Sequence, residues 1–511
     1  MSAAPSEPEK YSIDEMMERL KNKSDGTLED GELVTRPDGT QVVRVRKRKR
    51  RSNQPLRDEQ KRTRRVRIIQ ISSILMLLFF ATLTIGAAMV YANSLPFREA
   101  VLQGITKATR ANVELEQFRM NPKTANAERL ILSWPDGNIL KNLNLRGISS
   151  EISPSSLFGK GLSGQDVTAA EGLLTLRLPN PDAPLTNADT QESAKAPSFQ
   201  NFRIPVLNVS LENGLPPAIR LIKSEASLDP ENVNGRPQLS LYRGELAVTG
   251  WPKLMMDRAM IEFRDEEVDI IGLRVLSESD DRGLLEFSGT ISPYKPDALS
   301  SLEVTMSAFE LTGIVGPAIG RLIFGRVDSV PSDSLNQFIF FPKTEALPKL
   351  EVNFRAAPTS SIEVNAFPFL FGLSRALDDV WFERPTFDTD ATGSFLREAG
   401  TLSLHHLNLE SKSRMAIRGD LSLATNQNLS GELEIGIAEA MIASSKDVRL
   451  DAMFSEPRDG FRWITLKISG PVAKPLDNFK DLYSAATPDG DIGPSKLEEK
   501  TPSFEELTRP R

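Results

Sequence analysis

Thirteen Lys and Arg residues crowd between Arg44 and Arg67, opposed only by Asp58 and Glu59, and they stop at Ile68, where a run of 24 residues to Tyr91 carries no charge at all. A helix rises about 1.5 Å per residue, so roughly 20 apolar residues cross a bilayer. The stretch 68–91 is therefore long enough to span with some tilt. A cleaved signal peptide would place an apolar run of about 7–15 residues at the extreme N-terminus. This run is longer and begins after 67 residues, which favours a retained single-pass anchor. Basic residues beside a span stay on the cytoplasmic side. That rule predicts residues 1–67 as a cytoplasmic, largely disordered basic segment and places the bulk of the chain on the opposite side.

The charge distribution follows the same division. Residues 1–67 hold 18 basic and 12 acidic groups, whereas the rest holds 44 against 57. An acidic exported part argues against nucleic acid as a partner, because that recognition depends on clustered cations neutralising phosphates. The basic run instead suits anionic headgroups. The chain has no cysteine, so disulfides, thiolate metal sites and cysteine nucleophiles are excluded. A large exported region without disulfides has to be held by packing.

Within the first 67 residues, Ser12 and Glu15 have capping-box spacing, and Ile13, Met16, Met17 and Leu20 share one helical face, which predicts a short amphipathic helix. Arg36-Pro-Asp-Gly39 between two short apolar runs reads as a hairpin turn. Beyond the span, 96–110 reads as a juxtamembrane helix, and the character then changes to short alternating strands. One signature recurs, a glycine followed at the second and fourth positions by large apolar residues: Gly172-Leu-Leu-Thr-Leu176, Gly244-Glu-Leu-Ala-Val248, Gly283-Leu-Leu-Glu-Phe287, Gly400-Thr-Leu-Ser-Leu404, Gly419-Asp-Leu-Ser-Leu423 and Gly431-Glu-Leu-Glu-Ile435. Period-two alternation gives each strand one apolar and one polar face, and glycine at the entry allows a bulge or bend that curves a sheet. The same pattern also fits a covered β-sandwich. The expected organisation is an N-terminal β region over 95–178, a flexible proline-rich loop over 179–200, a central β region over 201–395 with helices at 312–326 and 367–380, a C-terminal β module over 396–480, and a disordered tail over 481–511.

No constellation for chemistry emerges. His405 and His406 are the two histidines of the chain; adjacent on a strand, they point to opposite faces. The alternation changes phase between Leu404 and Leu407, which predicts a β-bulge there. Gly159-Lys-Gly-Leu-Ser-Gly164 has the dinucleotide glycine spacing but is followed by a strand pattern where that motif needs a helix. Asp388-Thr-Asp-Ala-Thr-Gly393 opens like a calcium loop, yet Ala399 stands where the bidentate Glu belongs. Asp280-Asp281 and Asp378-Asp379 read as exposed loop charges. Neither an enzyme activity, a metal nor a cofactor is expected.

The anchor, the helix after it and the strand series, above all Gly400-Thr-Leu-Ser-Leu-His-His-Leu-Asn-Leu-Glu-Ser411, Met415-Ala-Ile-Arg-Gly-Asp-Leu-Ser-Leu-Ala424, Leu429-Ser-Gly-Glu-Leu-Glu-Ile435 and Ile468-Ser-Gly-Pro-Val-Ala-Lys-Pro475, resemble the AsmA-like family of Gram-negative envelope proteins. A looser match includes Asn112-Val-Glu-Leu and Leu143-Asn-Leu-Arg-Gly-Ile148. The resemblance implies a β groove with an apolar lining that carries lipid, and a role in outer-membrane composition. The chain departs from the family in its long basic extension and in being short for a complete bridge across the periplasm.

The resulting expectation is a mainly β protein: a single N-terminal transmembrane helix followed by a curved antiparallel β-sheet groove with a few short helices. It would sit in the inner membrane with its bulk in the periplasm, bind phospholipid or another acyl lipid, and act in lipid transport or envelope biogenesis. Candidate lining residues are Leu174, Leu176, Leu246, Val248, Leu285, Phe287, Leu421, Leu423, Leu433 and Ile435. The alternative reading is a non-catalytic periplasmic scaffold or assembly factor that binds envelope protein partners.

Overall fold

The computed structural model of the chain describes residues 14, 17–18, 32–39, 41–44 and 57–486, except 158–161, 179, 181–182, 184–194, 213–218, 265–266, 279–281, 295–299, 332–335, 341–347, 389, 399 and 446. It divides into two compact units, Met1–Leu83 and Thr84–Arg511. In the first, Glu32–Thr35 pairs antiparallel with Gln41–Arg44 around the anticipated turn, closed by the Gly39 N–H donating to Arg36 O at 2.9 Å. The amphipathic helix anticipated at 12–20 lies outside the described residues apart from Asp14, Met17 and Glu18, which are helical. One helix, Arg57–Ala92, begins within the basic run and continues through the uncharged stretch. Its segment Ile68–Ala92 has a mean hydropathy of 2.3, is exposed along its most apolar window, and is long and apolar enough to cross a membrane.

The second unit is mainly β. Among the described residues 24 strands form one sheet, and the remaining three of this unit, Ile323–Phe324, Ile362–Val364 and Thr386–Phe387, form a small second one. Pairing follows a line from Asn112–Glu116 through Thr124–Ser133, Leu140–Ile152, Ser163–Arg177, Ser198–Glu212 and Ile219–Asp229. It continues through the broken strand Gln238–Tyr242 and Glu245–Val248 to Leu254–Phe263, Val268–Ser277, Leu284–Ile291 and Ser300–Ser307. From there it passes by Gln337–Phe340, Lys349–Ala356, Asp390–Glu398, Thr401–Ser411, Met415–Leu423 and Asn428–Ala438 to Phe461–Pro471. No pairing among the described residues joins the two ends of this line. Its closed circuit is local: the strand 238–248 breaks at Arg243 and Gly244, whose φ values of 56° and 135° make a bulge that glycine accommodates, and both halves pair with the same two neighbours.

One pairing departs from the antiparallel rule. Ser163–Arg177 and Ser198–Glu212 are parallel, and parallel neighbours need a crossover of a dozen or more residues. Residues 178–197 supply it. Most of the proline-rich stretch anticipated as a flexible loop over 179–200 lies outside the described residues, and Ser198, Phe199 and Gln200 belong to the strand.

Strands in a sheet rotate by roughly 20–25° from one to the next. Seven steps separate Leu140–Ile152 from Leu284–Ile291, which accumulates to about 140–175°. Opposite ends of these two strands therefore come to the same side. Twist alone leaves the two strands about 34 Å apart, so it is curling of the sheet that lets the Tyr294 hydroxyl, just beyond Ile291, donate to Asn138 Oδ1 at 3.1 Å in the turn before Leu140. The Arg177 side chain braces this turn, donating to Asn138 O at 3.2 Å and to Trp134 O at 2.7 Å.

The largest core lies in the C-terminal half. There the apolar sheet face is covered by Thr312–Ile319, Pro368–Leu377, Glu439–Ser444, Val448–Met453 and Phe479–Ala485, which insert Ile314, Leu373, Ile442, Leu450 and Tyr483 among others. The helix anticipated at 312–326 spans only Thr312–Ile319 and is kinked within that span at Gly316, φ 85°, just before Pro317; Ile323–Phe324 is then a strand. The tail anticipated as disordered from 481 starts instead inside the helix Phe479–Ala485, with Phe479 and Tyr483 stacked and buried; residues 487–511 lie outside the described residues.

Candidate apolar face of the sheet

Strand register brings the aliphatic residues of distant segments into rows. One row reads Leu132, Leu143, Leu174, Val209, Leu221, Leu246 and Leu254, each directly opposite the next. A second, nearer the strand ends, reads Leu140, Leu176, Leu211, Ile219 and Val248. A third reads Leu130, Leu145, Gly172 and Leu207, with the Leu145, Ile204 and Leu207 side chains closing over the missing Cβ of Gly172. On the opposite face the row Asn142, Thr175, Ser210 and Arg220 is polar, whereas Ile131, Asn144, Leu173 and Asn208 mix aliphatic with polar residues. Alternation within each strand thus becomes one continuous apolar row across seven neighbouring strands.

Burial divides this face. Leu143, Leu145, Leu174, Leu176, Val209, Leu211, Ile219 and Leu246 are only half-buried, and no helix is described between residues 158 and 311 to cover them. At the near edge the helix Leu95–Thr109 packs Phe97 and Val101 onto Leu115, Met120, Ala125 and Ile152, with Leu130 and Ile148 beside them. At the other side Leu254 enters the sealed C-terminal core. A contiguous, partly exposed aliphatic surface is the kind of patch that marks a binding surface, although Leu207 and Leu221 within it are buried.

The ten lining residues anticipated from sequence fall on both sides of that divide. Leu174 and Leu176 lie in the partly exposed rows, Leu174 against buried Leu207 and Leu221; Leu246 packs against the sealed core, and Val248, 8% exposed, ends the second row. Leu285, Phe287, Leu421, Leu423, Leu433 and Ile435 belong to the sealed core and are at most 8% exposed. Covering helices occupy the face these six present, so they hold the fold and line no open surface. Leu143, Val209, Leu211 and Ile219 were not anticipated because no glycine opens their strands. Their signal was the plain alternation of Leu143-Asn-Leu145 and Leu207-Asn-Val-Ser-Leu211.

Among the described residues the polar candidates form no centre. The anticipated bulge is present: the register slips between Leu404 and Leu407, and His406 has φ 51°. The His406 N–H donates to Asp420 Oδ1 at 2.8 Å, and His405 Nδ1 lies 3.5 Å from the same oxygen. Ser163–Arg177 is a strand, so Gly164 enters no phosphate-binding helix. Among the described residues no group of three or more His, Asp or Glu could hold a metal ion.

Arg397 is a buried cation, 6% exposed. Its guanidinium donates to Gly250 O, to Ile314 O at 3.0 Å and to Val315 O at 3.3 Å, and burial lowers its pKa to about 10. Those carbonyls lie at the break of the helix Thr312–Ile319, so Arg397 caps that break and ties it to the turn at Gly250.

Comparison of the chain with protein-family models, with curated proteins and with solved structures found no match.

Proposed function

We propose that the chain is a single-pass inner-membrane protein whose periplasmic sheet binds acyl chains on the partly exposed rows around Leu143, Leu174 and Val209, in the service of lipid transport or outer-membrane biogenesis. The observation that carries this reading is the row Leu132–Leu246, aliphatic on six successive strands, with Leu143, Leu174 and Val209 partly exposed between buried Leu132 and Leu221. Five inter-strand spacings of about 4.8 Å make it roughly 24 Å long. One leaflet of hydrocarbon is about 15 Å thick, half of the bilayer core, so the row accommodates a whole acyl chain. Burial of each CH₂ stabilises the complex by about 0.8 kcal/mol, and no catalytic group is needed. The basic run before Ile68 supports a cytoplasmic N-terminus, and the resemblance to AsmA-like proteins points in the same direction.

Native mass spectrometry of the full chain, released gently from detergent, tests the binding. Phospholipid should be retained by the wild type and lost from Leu143→Glu/Val209→Glu with the circular dichroism unchanged. A chain that carries no lipid and instead co-purifies in a stable protein complex would replace this reading with the scaffold. Because the chain lacks cysteine, a single Cys introduced at Thr35 or at Lys123 and labelled with a membrane-impermeant maleimide reports the orientation.

A further inference from the structure

The helix Arg57–Ala92 ends at a residue whose side chain behaves as a piece of β-strand. Asn93 Nδ2 donates to Met120 O at 2.9 Å, and the Met120 N–H donates to Asn93 Oδ1 at 2.8 Å. The same Nδ2 donates to Met89 O at 2.9 Å, and the Asn93 backbone N–H reaches that carbonyl at 3.2 Å. A carboxamide has the donor and acceptor of a peptide unit. On one side of Met120 the backbone pairs with Ala125, and Asn93 occupies its other side. One side chain therefore satisfies the last turn of the helix and closes the first edge of the sheet.

Its surroundings are built for a fixed joint. Ala92, Phe97 and Met120 are at most 1% exposed. Tyr91 packs edge-on against Phe97 with centroids 5.8 Å apart, and Phe97 stacks on Phe118 at 6.5 Å. Ser94, extended at φ −82° and ψ 159°, turns the chain directly into Leu95–Thr109. Arg98 from that helix donates to Leu115 O on the neighbouring edge strand.

We propose that Asn93 is a positioning residue that locks the end of the membrane-length helix to the edge strand Arg119–Met120, so that helix end and sheet form one rigid joint rather than two bodies on a hinge. The inference stands independently of what the apolar face binds.

The test uses the full cysteine-free chain in nanodiscs, with spin labels on cysteines introduced at Val90 and Lys123, both exposed. The wild type should give a narrow inter-label distance distribution, and Asn93→Ala should broaden it at least two-fold. Hydrogen exchange at the Met120 amide should accelerate about ten-fold or more, with the hairpin 401–423 unchanged. Asn93→Asp, which keeps the acceptor and loses the Nδ2 donors, should fall between the two and serves if the alanine variant does not fold. An unchanged distribution together with unchanged Met120 exchange overturns the proposal. So does equal acceleration at Met120 and at 401–423 in both variants, which would make Asn93 a general stability residue. Loss of lipid from the wild type, by contrast, bears on the binding reading alone.

Discussion

Leu174 and Leu421 occupy the same place in the repeated glycine signature, yet one is half-buried in an open row and the other is 2% exposed in a sealed core. Truncating each to alanine separates their roles. At Leu421 the loss combines transfer and cavity terms, about 2–5 kcal/mol for a fully buried leucine. At Leu174 three carbons are removed from a site already open on one side. Full burial of three carbons is worth about 2.4 kcal/mol, so half-burial is worth about 1 kcal/mol, with no closed cavity to add. Thermal unfolding of the detergent-solubilised full chain, followed by near-UV circular dichroism, reads the difference; domains of 150–250 residues shift by about 2–4 °C per kcal/mol, and a larger body by less. Leu421→Ala should lower the midpoint several times more than Leu174→Ala, while only the Leu174 variant should weaken acyl-chain binding. Equal shifts would mean that the rows around Leu174 are as sealed as the C-terminal core, and the argument for an open face would fail.

Other perturbations follow from single contacts. Gly419 has φ 132°, and a Cβ there would meet Glu432 O at 2.2 Å, so Gly419→Ala should cost about 2–4 kcal/mol in the same unfolding assay. Tyr294→Phe removes the hydroxyl that meets Asn138, a bond worth about 1 kcal/mol, and hydrogen exchange should accelerate at 134–139 but not at 401–423. Burial raises the pKa of Asp477, and nearby Asp481 adds to the rise, against the N–H donors of Phe479 and Phe369. A carboxyl raised on folding contributes stability that is fully present below its unfolded value near 3.8 and is lost as pH rises through the folded value. Wild-type stability minus that of Asp477→Asn should therefore increase on acidification from pH 7 towards pH 4, and a flat difference would refute the assignment.

Local chemistry was legible where neighbours in sequence set the outcome. The uncharged run 68–91 became part of one long apolar helix, Arg36-Pro-Asp-Gly39 became a hairpin turn, and the phase change at His405 and His406 became a bulge. Helix breaks and ends were legible in part: Gly316-Pro317 carried the signal for the kink, and Phe479 with Tyr483 at i and i+4 carried the signal for the last short helix, against a polar context that hid it.

By itself the sequence determined which face of each strand is apolar, because that depends on a period of two along the chain. What lies against that face was decided only by tertiary structure. Leu421 and Leu433 are sealed in a core that gathers residues from Leu254 to Tyr483, while Leu143, Leu174 and Val209 meet side by side through a parallel crossover, with no helix described between residues 158 and 311. Covering is a contact between segments far apart in the chain, and no alternation within one strand encodes it.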